Sequence, residues 1–119
     1  MLVEMEPRPR VWIVEASLTL ATGVRPSELE RRAFFRAMTD AEGSELATPE
    51  VGWTSDDSAY VALATEALTA EDAGATVTAV IRRGAIPSAG LTADRATIAV
   101  SSVVPLTTRQ LARQIWPEG

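Results

Sequence analysis

Apolar and polar positions alternate most cleanly over Val11 to Leu20 (VWIVEASLTL). Trp12, Val14, Ala16, Leu18 and Leu20 form one apolar register, while the other passes from Val11 and Ile13 into Glu15, Ser17 and Thr19. A period of two with one wholly apolar face predicts a strand buried on one side, which Thr22-Gly23 terminates. The pattern then changes period. Ser27 followed by Glu30 is a capping box, and up to about Thr39 the apolar residues Leu29, Ala33, Phe34, Ala37 and Met38 share one face of a helix. Glu28, Arg31, Arg32 and Arg36 occupy the opposite face. Phe35 falls among these charges, where it is covered by arginine stems or buried against a partner.

Asp40 to Ser44 reads as a connection and Glu45 to Thr54 as a weaker strand. Pro49 cannot donate to a ladder and marks that strand as an edge or a bulge. Ser55 to Ser58 makes a turn, and Ala59 to Leu68 returns as a third strand in a hairpin. Thr69 to Gly84 is ambiguous. Gly74 and Thr76-Val77-Thr78 favour a strand, whereas Thr69 as cap, Glu71 and Asp72 in the first turn, Arg82 and Arg83 in the last and Gly84 beyond favour a helix with Ala73, Val77, Val80 and Ile81 inward. The matched termini decide for the helix. Gly84 to Asp94 reads as a loop and Arg95 to Val104 as a fourth strand stopped by Pro105. Thr107 and Gln110 form a capping box that opens a short C-terminal helix over 106–116. Residues 1–9, with two prolines and no period, read as a loose N-terminal arm.

The order strand, helix, strand, strand, helix, strand predicts a single α+β domain with a core over residues 10–104. This plan resembles the ferredoxin-like βαββαβ sandwich, with an antiparallel four-stranded sheet, the first strand central and two helices on one face. The resemblance is one of topology and licenses no activity. The other sheet face would then show Val11, Ile13, Glu15, Ser17 and Thr19 from the first strand and Tyr60, Ala62, Ala64 and Glu66 from the third. Thr97, Ala99, Ser101 and Val103 follow from the fourth, with Ile98, Val100 and Val104 inward. Such a flat, small-residue surface suits stacking of two copies, so a homodimer is expected with Ala62, Ala64, Ala99 and Ser101 at its interface and Phe35 as a second contact point.

Composition removes much chemistry. Among 119 residues there is no cysteine, histidine, lysine or asparagine. That excludes disulfides, thiolate chemistry, Schiff bases and the commonest general base and metal ligand. Abundant alanine and arginine without lysine or asparagine fits GC-rich coding DNA, as in an actinobacterium or actinophage. No long apolar run or signal-type segment is present, and a cytoplasmic location is expected. The net charge of −5 opposes nucleic-acid binding. Nine acids and no arginine lie between Asp40 and Asp72, an acidic segment fit for a protein partner.

Glu15, Tyr60 and Glu66 are the polar groups that would serve a small ligand or carboxylate chemistry on the open face. Asp56-Asp57 are ordinary turn residues before they are cation ligands. Gly84 to Gly90 lacks the lysine of a phosphate-binding loop. The sequence therefore points to a non-enzymatic interaction or assembly module that self-associates through its sheet, such as a phage-encoded structural or host-modulating protein, with no cofactor, metal, nucleic acid or membrane. The alternative is a cofactor-independent small-molecule binder or enzyme with a carboxylate-containing cleft.

Overall fold

The computed structural model describes residues 9–106, and the expected C-terminal helix and most of the N-terminal arm lie outside them. Four strands, β1 (Arg10–Leu20), β2 (Glu50–Trp53), β3 (Ser58–Ala67) and β4 (Ala96–Pro105), form one sheet in the order β2-β3-β1-β4. Every neighbouring pair is antiparallel. Helix α1 (Glu28–Asp40) joins β1 to β2, and α2 (Ala70–Val80) opens the long helical connection from β3 to β4. The fold is thus α+β, with an antiparallel sheet and helices that share one core.

β1 takes the expected register. Val14, Ala16, Leu18 and Leu20 are buried and meet Phe34 and Met38 of α1 and Ala73 and Val77 of α2 in one cluster. Across from them, Leu63, Val61 and Ala59 of β3 lie opposite Val14, Ala16 and Leu18, and so on the same face. The Trp12 indole, at the end of this face, donates to the Ala67 carbonyl at 3.0 Å. A partly buried indole N–H needs such an acceptor.

The edge strands depart from expectation. β2 is four residues long and starts only after Pro49, so Glu45 to Pro49 is not strand. Beyond Ala62, the edge of β3 is met by a loop: Gly43, at φ +103°, lies so close that a Cβ there would run into the Ala64 carbonyl oxygen. β4 runs one residue later than expected at each end and carries a bulge. Glu15 pairs with Ser102 and Ala16 with Val100, which leaves Ser101 as the extra residue. One inserted residue exchanges the two faces of everything after it. Val103, expected outside, therefore faces inward and packs on the core. Val104, expected inside, lies opposite Ile13 on the open face and is 40% exposed.

Helix α1 begins as expected: the Ser27 and Glu30 side chains bond each other's backbone N–H groups at 3.1 and 2.7 Å. Its inward stripe is shorter than expected. Leu29 is 75% exposed, because the first turn extends past the core, where Pro26 is buried instead. Thr69 caps α2, accepting from the Asp72 N–H at 3.1 Å. Gly84 does not end this helix. The chain continues through a π-helical turn, Ile81–Ala85, into a short helix α3 (Ile86–Ser88). The apolar spacing explains the continuation: Ala73, Val77, Ile81, Ala85 and Ala89 recur every fourth residue, and all are buried. The wider turn lies just before Pro87, whose ring is incompatible with a regular preceding turn. The terminating glycine is Gly90 at φ +77°; its N–H donates to Pro87 O and that of Leu91 to Ile86 O, at 2.9 and 3.1 Å.

Candidate functional site

Both helices pack on one face of the sheet, and the other face is built in rows by the ladder. Val104, Ile13 and Ala64 form an apolar row. Next come Ser102, Glu15, Ala62 and Glu50, and then Ala99, Ser17, Tyr60 and Gly52. Ala62 and Ala64 are only 7% and 1% exposed, so they are the floor of this face rather than area a partner would cover. Ser17, Thr19, Glu66, Thr97, Ala99 and Val104 are exposed on it, beside the bulged Ser101, and Val11, Ile13, Glu15, Tyr60 and Ser102 are partly buried.

Of the expected polar groups, the ladder brings two together. Tyr60 lies diagonally across from Glu15, two residues from the Ala62 that pairs with Glu15. Burial first, and then the charges of Glu15 and Glu50, push the Tyr60 pKa above its ordinary value. Glu66 pairs with Val11, four residues from Ala62, which places it about 13 Å along the strand from the Glu15 row. The nearer carboxylate is Glu50, across Ala62 from Glu15, about 10 Å away by strand spacing. Glu50 was legible in principle, since Val51 and Trp53 on the core side put it on the open face of β2. Among the described residues no cluster of three acidic groups is arranged to hold a metal ion.

The acidic segment is displayed along its length, and all its acids but Asp57 are exposed. Asp57 is engaged in the β2–β3 turn. Ser55 Oγ and Ser58 Oγ donate to its carboxylate at 2.8 and 3.2 Å, and these bonds, Ser55 first, hold its pKa below the usual carboxylate value. Asp56 lies 3.8 Å from Arg31. At the opposite end of β3, Glu42, Glu45 and Glu66 rim a small cavity of about 170 Å³.

Two larger grooves lie on the helix side. One, of about 650 Å³, runs between α1 and α2 over Ala37, Ala41, Ala79 and Ala85, with Asp40, Glu42 and Arg83 on its rim. The other, of about 500 Å³, lies between the outer stripe of α1 and the edge strand β2. There Phe35 is 46% exposed, and the Arg31 guanidinium stacks 4.8 Å from the centre of the Trp53 ring. Trp53 in turn meets Phe34 edge-on at 6.0 Å.

Fold and site together define an α+β protein whose antiparallel sheet keeps one face free of described helices. No protein-family model, curated protein or solved structure matches the chain. No described helix is long and apolar enough to cross a membrane.

Proposed function

We propose that the protein is a non-enzymatic interaction or assembly module that associates with a second copy of itself through the open sheet face and offers its acidic surface to a protein partner. The strand order β2-β3-β1-β4, with helices after the first and third strands, supports reading the fold as a ferredoxin-like sandwich. The observation that carries the proposal is the apolar pair Val104 and Ile13, side by side on that face. Val104 there is 40% exposed and Ile13 only partly buried, so β-branched side chains remain accessible on the face without described helices. Three strands of ten or eleven residues and the four-residue β2, about 4.8 Å apart with a rise of about 3.3 Å per residue, give on the order of 1,100 Å² for two stacked faces, the low end of specific interfaces. The dimer is therefore weak and concentration-dependent.

The chain has no cysteine, so a single introduced thiol reports on stacking. Ala99→Cys should give an interchain disulfide under mild oxidation. Arg82→Cys, on the helix side, should not. Equal cross-linking of both variants would refute the stacked face.

A second reading rests on the meeting of Tyr60 and Glu15: a cofactor-independent binder or enzyme using Glu15, Tyr60 and Glu50. A small-molecule thermal-shift screen in which hits lose their effect in Glu15→Gln would favour it over the assembly module.

A further inference from the structure

The groove between α1 and β2 combines features that the sheet-face reading leaves unused. The α1 residues 28, 31, 32, 35, 36 and 39 follow one helical stripe, and this stripe carries three arginines against the single carboxylate of Glu28. Arg31 is committed to the protein itself, since it stacks on Trp53 and reaches Asp56. Arg32 pairs with Glu28 at 2.7 Å, but both side chains are more than two-thirds exposed. An exposed pair of this kind contributes little and is readily exchanged for another carboxylate. The two ion pairs among the described residues leave Arg36 without one. Between Arg32 and Arg36 the exposed Phe35 faces the same groove, whose far wall is Val51 and Trp53. In a protein of net charge −5, this is a local concentration of cations around an apolar seat.

The second wall adds direction. β2 is the outermost strand, and its outer edge has no strand partner among the described residues. A segment added there would extend the sheet and turn alternate side chains toward the α1 stripe.

We infer that this groove binds an extended acidic segment of a partner protein, which pairs with the free edge of β2 and sets an aliphatic side chain on Phe35 between two carboxylates held by Arg32 and Arg36. The pattern required is acidic, any, apolar, any, acidic, because the period of two keeps these three residues on the helix side. Arginine suits such contacts through its planar, forked donors. This surface is separate from the open sheet face, and its occupation does not depend on self-association.

The test uses a fluorescein-labelled peptide Gly-Asp-Thr-Leu-Thr-Asp-Gly and the full chain, read by fluorescence anisotropy in low salt. The inference predicts saturable binding, weakened at least tenfold in Arg32→Gln/Arg36→Gln and at least fivefold in Phe35→Ala, with circular dichroism melts unchanged. It also predicts a comparable loss when both peptide aspartates become asparagine. Three results would overturn it: no binding to the folded parent, binding indifferent to the arginine substitutions, or displacement by free 4-methylpentanoate at concentrations equal to the peptide. The last would assign the groove to a small carboxylate.

Discussion

Ser101 donates its hydroxyl to the Glu15 carbonyl at 3.2 Å from the one residue of β4 that has no partner in the β1 ladder. The bond ties down the bulge, and the bulge decides which valine of the pair Val103-Val104 enters the core. Val103→Ser should therefore destabilise by about 1–2 kcal/mol, and Val104→Ser by less than about 0.5 kcal/mol, in urea unfolding of the monomer at low concentration. The reverse order would mean that the ladder runs without the bulge.

The adjacent phenylalanines of α1 divide in the same way. Phe34 is fully buried against Trp53, whereas Phe35 is half exposed. Phe34→Ala should cost about 3–5 kcal/mol and Phe35→Ala less than about 1 kcal/mol. Leu18→Ala, at the centre of the core register, should cost about 2–5 kcal/mol. Thermal or urea denaturation of the three variants checks this ranking.

Gly84 lies inside the continuous helical run, and a Cβ there meets nothing within 4 Å. Gly84→Ala should stabilise by up to about 1 kcal/mol. Gly43→Ala should destabilise by more than about 1 kcal/mol, since φ +103° and the Ala64 carbonyl both oppose a side chain. Melting temperatures moving in opposite directions would support the helical continuation and the close loop together.

Tyr60 supplies a pH dependence. Its folded pKa is raised from 10.0, by burial first and then by Glu15, so the folded state holds the phenol proton more tightly than the unfolded chain does. The associated stability is fully present below about pH 10 and is lost as pH rises through the folded value. Tyr60→Phe should flatten the alkaline decline of stability. In the parent, one tyrosine should ionise above pH 10 by absorbance, and Glu15→Gln should bring that titration part of the way back.

The residues show which features the chain pattern makes legible. β1 was legible because one face is buried throughout and an alternating row admits one register. The Ser27 cap and the Ala73, Val77, Ile81 stripe were legible because capping and spacing are local. The bulge was not, since Ser101-Ser102 satisfies either register until the pairing of Glu15 is known. The sign was there in Val103-Val104, where two adjacent valines cannot both face the core. Gly84 imitated a helix end because two arginines precede it, while the apolar spacing through Ala85 and Ala89 marked the true course. Tyr60 and Glu15 were expected to share a face, and they meet. Glu66 shares that face but lies too far along its strand. Phe35 lay outside the apolar arc from the start, and the groove that surrounds it depends on the position of β2, which no local pattern specifies.

Self-association through the open face is most directly tested by the solution mass, measured by light scattering on a sizing column over a range of loading concentrations. The comparison is between the parent and Ile13→Arg/Val104→Arg, which charges the apolar row without touching the core. The account predicts a parent that shifts from monomer toward dimer as concentration rises, and a variant that stays monomeric and folded. A parent that remains monomeric at the highest concentration, or a variant that dimerises as well as the parent, would contradict it.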